Sequence, residues 1–241
     1  MIKTRDNLNL YYQDEYVTIY NEDSAQLQHF PLHRNLFAGI VTDPPYNVGK
    51  DYGNGSQADK REDYLDWLNG YWKYLSIYVI DGGFLIYTNT THFIPQGMIP
   101  PEPWRYFHLA CWHKPLSLRP AFYGVCPHWE PIFICVKGKK PWRKFRGKDT
   151  FPDVISANVV YDKEGNKKHP TPKPLKLYLE LVNFAIPQDG WVLEPFGGTG
   201  TTALAAKILK RHCVMFETNE EYCEIAAQRC KKGLVLTELL L

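Results

Sequence analysis

Gly190-Trp191-Val192-Leu193-Glu194-Pro195-Phe196-Gly197-Gly198-Thr199-Gly200-Thr201-Thr202 decides the fold. Residues 190–193 read as a short apolar strand, the glycines as a tight turn, and residues 203–210 as a helix. Strand, glycine turn and helix together make a nucleotide-type binding unit. Glycine lets the backbone approach a ligand, and the helix start offers N–H donors. Residues 213–216 read as the next strand and end at Glu217, where a carboxylate can take ribose hydroxyls. A helix over 220–231 closes the pattern, and one over 174–185 precedes it.

Working outward toward the N-terminus, residues 17–20 read as a strand followed by a polar turn, and residues 36–41 as another strand. Apolar and aromatic residues at helical spacing predict a helix over 62–78. Asp81-Gly82-Gly83 reads as a turn into a strand at 84–88, and further strands are expected at 107–113 and 131–136. Strands alternating with helices point to an α/β fold with a doubly wound, mostly parallel sheet.

Asp43-Pro44-Pro45-Tyr46 follows the strand at 36–41, at a carboxyl end where open α/β sheets bind ligands. Two prolines fix φ twice and remove two N–H donors. The Asp43 carboxylate and the Pro44 carbonyl are then two acceptors for an –NH2 group, with the Tyr46 ring beside them. The plain alternative is a Pro-Pro turn with a capping aspartate. In the second motif, Gly198-x-Gly200-x-x-Ala203 satisfies the dinucleotide fingerprint, so an NAD enzyme has to be weighed. Against it, only residues 218–241 follow Glu217, and Glu194 would repel a pyrophosphate. S-adenosylmethionine fits better: its ribose suits Glu217, its amino-acid end suits the loop, and its sulfonium methyl faces the amino-group site.

The 241 residues suit one domain. The net charge of +2 is too small to announce a polyanion partner, so a nucleic-acid surface would have to be a local patch. Six cysteines without a paired-spacing framework, and no signal peptide, lead to the expectation of reduced thiols and a cytoplasmic location. No apolar run approaches membrane-spanning length. Cys111-x-His113 and Cys126-x-His128 lack the two-to-four-residue gap of zinc ligands, so no metal is expected. Cys223 and Cys230 read as core-facing.

The chain resembles the DNA amino-methyltransferases of the β arrangement, in which the Asp-Pro-Pro-Tyr motif precedes target recognition and the cofactor loop comes last. Asp43 to Tyr46 match the catalytic motif, and Glu194 to Thr202 look like the cofactor motif, with Glu in place of the more usual Asp. Phe216-Glu217 is similar to the ribose-binding strand end. His169-Pro170-Thr171-Pro172-Lys173-Pro174 resembles the segment that closes over the methionine end. Trp112-His113-Lys114 and Trp129-Glu130-Pro131 are like the intermediate motifs.

The resemblance implies a Rossmann-like sheet of the class I methyltransferase type with circularly permuted motif order. It implies a single domain over 1–241, with 138–168 as a short target-recognition insertion. The cofactor would be S-adenosylmethionine, held by Asp43, His169, Thr171, Lys173, Glu194, Phe196, Gly197, Gly198, Thr199, Gly200, Thr201, Thr202 and Glu217. Asp43, Pro44, Pro45 and Tyr46 would form the catalytic motif. The target would be adenine N6 in DNA, with cytosine N4 as the alternative, because family members acting on cytosine more often resemble Ser-Pro-Pro-Tyr. Flipping of the base is expected, since a base inside a duplex cannot reach such a pocket. DNA contact is expected from Lys139, Lys140, Trp142, Arg143, Lys144, Arg146 and Lys148, a basic run with aromatic interleaving. A homodimer and a cognate restriction endonuclease are further partners that the resemblance allows. A nucleic-acid binder retaining the fold without turnover is the reading from another class, and Asp43, Tyr46, Gly198, Gly200 and Glu217 argue against it.

Overall fold

A computed structural model describes residues 9–30, 32–49, 60–96, 99–116, 126–142, 150–159 and 173–233. Among these residues the strands are β1 (Leu10–Gln13), β2 (Val17–Tyr20), β3 (Phe37–Thr42), β4 (Val79–Thr88), β5 (Trp104–His113), β6 (Trp129–Lys137), β7 (Val154–Ser156), β8 (Trp191–Glu194) and β9 (His212–Phe216). They form one sheet in the order β1-β2-β9-β8-β3-β4-β6-β5-β7. From β2 through β4 every neighbouring pair is parallel, whereas β6 is antiparallel to both β4 and β5. The chain leaves β8 toward β9 on one side and β3 toward β4 on the other. The order therefore reverses between β8 and β3, and the crevice outside their carboxyl ends is the ligand position of such sheets.

The strands alternate apolar side chains between two faces. Val17 and Ile19, Phe84 and Ile86, Ile132 and Ile134, and Cys213 and Met215 face one core. That core is covered by α2 (Leu175–Ala185), α3 (Thr201–Ile208) and α4 (Glu220–Lys232). Leu85, Tyr87, Phe133, Cys135, Val214 and Phe216 face the other, under α1 (Tyr64–Leu75). Burial on both faces explains why these strands read as continuous apolar runs. Helix α1 buries Tyr64, Leu68, Tyr71, Trp72 and Leu75, a stripe at helical spacing. Helix α4 starts at Asn219, whose side chain accepts from the Glu221 and Tyr222 N–H groups, and stops at Gly233 with φ 65°. Cys223 and Cys230 are buried, as their spacing on this helix led one to expect.

One expectation needs correction. Asp81-Gly82-Gly83 is not a turn before a strand but lies inside β4, where the register with β3 shifts between Phe37 and Gly39. Gly82 takes φ +80°, and a Cβ there would meet the Trp142 backbone N at 2.5 Å. Extra residues opposite a shorter partner stretch are a bulge, which local turn propensity does not distinguish from a turn. Within the stretch 138–168, β7 pairs in parallel with β5 at the sheet edge. Strand β1 was also unseen, being an edge strand with a half-exposed pattern. No helix of the described residues is long and apolar enough to cross a membrane.

Candidate active site

The carboxyl end of β8 forms one bank of the crevice. Glu194 ends the strand buried, accepting from the Thr42 and Thr202 hydroxyls and, at 3.0 Å, from the Phe196 N–H. It thereby ties β8 to β3 and to the first turn of α3. Burial pushes its pKa up to about 7, against the pull of those three donors. The loop then turns on Gly200, which has φ +77° and whose Cβ would lie 2.5 Å from the Ala226 Cβ on α4. Only glycine suits both demands. The Gly198 N–H donates to Glu217 Oε2 at 2.7 Å, and the Asn219 N–H to Oε1 at 2.8 Å. Burial raises the Glu217 pKa while these N–H groups oppose it.

The carboxyl ends of β3 and β4 form the other bank. Asp43 Oδ1 accepts from the Tyr46 hydroxyl at 2.6 Å and from the Thr88 hydroxyl, and it pairs with Lys173 Nζ at 3.0 Å. Oδ2 accepts nothing from the described residues, although the side chain remains 20% exposed. The Pro44 carbonyl likewise takes no bond from them, while the Pro45 carbonyl is held by the Tyr64 hydroxyl at 2.8 Å. Behind Asp43 stands a buried row of charges. Lys173 pairs with Glu130 Oε2 at 3.0 Å, and Lys114 with Glu130 Oε1 at 2.8 Å. Burial disfavours the charged form of Glu130, yet Lys173 and Lys114 outweigh it and bring its pKa down to about 2. For Lys173, burial works toward neutrality, but Asp43 and Glu130 prevail and raise the pKa. The antiparallel β5–β6 pair sets this row, placing Trp112 opposite Glu130 and joining the Lys114 N–H to the His128 carbonyl.

Both banks open onto one cavity of about 410 Å³, within the size range of small-ligand sites. Asp43, Pro45, Lys173, Glu194, Phe196, Gly197, Gly198, Thr199, Thr201, Thr202 and Glu217 all line it, so two stretches far apart in sequence meet in one site. Glu22 and Asp23 add to its carboxylates, against Arg61 and Lys173 as cations. An acidic balance suits a ligand of net positive charge better than a pyrophosphate.

Tyr46 is only 6% exposed, with Lys173 Nζ 4.7 Å from its ring centroid. His169 and Thr171 lie outside the described residues, as do Arg143, Lys144, Arg146 and Lys148. Lys139, Lys140 and Trp142 are the described part of the run expected to contact DNA. They follow the far end of β6, where the Trp142 N–H bonds the Gly82 carbonyl, its indole bonds the Ala185 carbonyl at 3.1 Å, and the two lysines are exposed. Gly82 and Thr88 lie toward opposite ends of β4, roughly 20 Å apart at strand rise. A charge run in sequence carries no information about which end of a sheet it leaves. Lys114, Glu130, Thr42 and Thr88 are functional neighbours that the reading of residues did not bring together. The adjacency of Thr42 to Asp43 and the motifs Trp112-His113-Lys114 and Trp129-Glu130-Pro131 were the available signals.

An open sheet with this strand order and a cavity joining an Asp-Pro-Pro-Tyr turn to a glycine loop define a class I methyltransferase with permuted motifs. The chain belongs to the S-adenosylmethionine-dependent N6/N4-amino DNA methyltransferases: a family model described as DNA methylase matches residues 37–228. It is therefore a DNA amino-methyltransferase. It is 27% identical to the type II methyltransferase M.HpaI of Haemophilus parainfluenzae, over 82% of this chain and 69% of that protein. Its fold is similar to that of PvuII DNA methyltransferase, described as cytosine-N4-specific, with a TM-score of 0.75, 19% identity, and coverage of 92% of this chain and 89% of the other. It is also similar to M1.HpyAVI in its S-adenosylmethionine complex, with a TM-score of 0.67, 24% identity, and coverage of 88% and 98%.

Proposed function

We propose that the chain methylates the exocyclic amino group of a flipped base in DNA, with Asp43 Oδ2 and the Pro44 carbonyl as the two acceptors for its hydrogens. The carrying observation is Asp43: Oδ1 is fixed by Lys173, Tyr46 and Thr88, while Oδ2 is open beside the glycine loop. Two acceptors favour a more pyramidal nitrogen with its lone pair toward the sulfonium. The nitrogen attacks the methyl carbon, the carbon–sulfur bond breaks with its electrons going to sulfur, and the methylated nitrogen loses a proton to Asp43 or water. Positioning and fixed charge supply the rate. Stacking of the base on Tyr46 adds about 1–3 kcal/mol, with the Tyr46 hydroxyl held by the Lys173 ammonium at 2.7 Å.

In the cofactor, Glu217 takes the ribose, Phe196 borders the adenine, and Gly197 to Thr202 with Lys173, Thr171 and His169 hold the methionine end. DNA approaches the crevice end of the sheet, where β7 delivers the chain at Ala157, bonded through its N–H to the His113 carbonyl. On the base itself two lines of support diverge. Asp43 at the head of the motif favours adenine N6, by resemblance. The structure with TM-score 0.75 is described as cytosine-N4-specific, and on that comparison cytosine N4 is the better-supported reading. A homodimer and a partner endonuclease stay within the same proposal.

The test is to methylate DNA with the purified protein, digest it to nucleosides and identify the product by mass. N4-methylcytosine or N6-methyladenine is expected, with Asp43→Ala lowering turnover at least about 100-fold at nearly unchanged cofactor affinity. A ring-carbon methyl product, or an active Asp43→Ala variant, would overturn the proposal.

A further inference from the structure

Proline has no N–H, so the Asp43-Pro44-Pro45-Tyr46 turn cannot brace itself with donors from its two central residues. The bracing comes from side chains at the end of β4. Thr88 ends that strand and Asn89 follows it, its N–H bonded to the Pro131 carbonyl of β6 at 3.3 Å. Successive side chains along a strand point to opposite faces. The Thr88 hydroxyl accordingly reaches Asp43 Oδ1, whereas the Asn89 amide reaches the Tyr64 hydroxyl at 2.7 Å. Tyr64 in turn donates to the Pro45 carbonyl at 2.8 Å. The direction of this series is fixed. Asn89 Oδ1 accepts from the Thr90 N–H at 2.7 Å, which leaves Nδ2 as the end facing Tyr64. A phenol that accepts from Nδ2 keeps its single hydrogen for the carbonyl, and each bond of such a series polarises the next. Both side chains are buried, and the Tyr64 ring packs against Phe93 with centroids 4.9 Å apart.

We propose that Tyr64 and Asn89 are positioning residues that aim the Pro44 carbonyl at the amino group of the target base. The inference rests on the reading of Pro44 as one of the two acceptors. Thr88, Tyr46 and Lys173 hold the turn at Asp43, and Tyr64 holds it at Pro45. The Pro44 carbonyl lies between these two grips, and its direction is set by them. Because proline fixes φ, few torsions separate the grips, and a carbonyl pinned at Pro45 leaves the one before it little freedom to swing. Neither Tyr64 nor Asn89 lines the cavity, so both act through the turn rather than on a ligand.

Tyr64→Phe removes the donor and keeps the ring. With unmodified genomic DNA as substrate, the single-turnover methylation rate should fall roughly tenfold, the size of one neutral hydrogen bond. Kd for S-adenosylmethionine and KM for DNA should stay as in the parent protein. Asn89→Leu, which leaves the phenol in place without its donor, should lose less. The double variant should be no slower than Tyr64→Phe alone, because both residues act in one series. Leu75→Val, in the core at the other end of α1, should lower the unfolding midpoint and leave the rate unchanged. A Tyr64→Phe variant at the parent rate would overturn the proposal, as would losses confined to KM or additive losses in the double variant. So would a Leu75→Val variant slowed as much as Tyr64→Phe, because the rate would then follow stability alone. An active Asp43→Ala variant would take down the amino-group site itself, a failure distinguishable from these.

Discussion

The two banks of the crevice are built from different materials. The bank at the end of β8 is mostly backbone: Gly197, Gly198 and Gly200 turn tightly, and the N–H groups of Gly198 and Asn219 hold the Glu217 carboxylate. The bank at the end of β3 is made of buried side-chain charge, with Lys114, Glu130, Lys173 and Asp43 alternating in sign. Holding a cofactor requires a close-fitting shape, which backbone supplies cheaply in side-chain entropy. Fixing the acceptor for a reacting nitrogen requires one carboxylate oxygen held still, and an opposite charge does that best when water is excluded.

If this contrast is right, the ionic bank should be the more fragile. Glu130→Ala leaves Lys114 and Lys173 buried without their shared anion, and should cost about 3–5 kcal/mol of unfolding free energy, read by denaturant titration. The sign with pH follows from its depressed pKa. The stabilisation of Glu130 is complete above the ordinary carboxylate value near 4.5 and is lost as pH falls through about 2. An acid-unfolding curve that the substitution leaves unchanged would dissolve the distinction between the banks.

The backbone bank should break by shape alone. Gly200→Ala forces a side chain into a left-handed conformation and brings Cβ to 2.5 Å from the Ala226 Cβ. About 2 kcal/mol of stability should be lost, with a measurable loss of cofactor affinity. Retention of both by this variant would mean that the loop and α4 are loosely packed.

The effect spread most gradually lies where the banks meet, at Glu194. Its pKa is raised to about 7 in the fold, so its contribution to stability is full below the ordinary value of 4.5 and declines as pH rises through 7. The slope should not exceed about 1.4 kcal/mol per pH unit, and Glu194→Gln should flatten it. A parent protein whose stability does not change across that window would show that the carboxylate is better solvated than its burial suggests.

Much of the first bank was legible in the chain before any coordinates. Strand β8, the glycine turn, α3, β9 and Glu217 are consecutive, and each is specified by local rules: apolar run, φ-permissive glycine, helix start. The reading missed there only by a residue or two, as in the start of α3 at Thr201. The second bank was legible only at Asp43 to Tyr46. Lys114 and Glu130 are 16 residues apart, and Glu130 and Lys173 are 43 apart, and nothing local tells a buried lysine from a solvated one. A basic run is equally silent about which end of a sheet it leaves, and Lys139 and Lys140 follow the end of β6 that lies away from Asp43.

The amino-acid sequence by itself determined the motif order, the α/β class and the chemical character of the two turns, because each depends on neighbours within one strand or one loop. Only the tertiary structure decided that the turns share a cavity, that one oxygen of Asp43 is fixed while the other is open, and that Lys114, Glu130 and Lys173 line up behind it. Those facts depend on strand order and on the antiparallel pairing of β6 with β4 and β5, which bring residues distant in sequence into a space from which water is excluded.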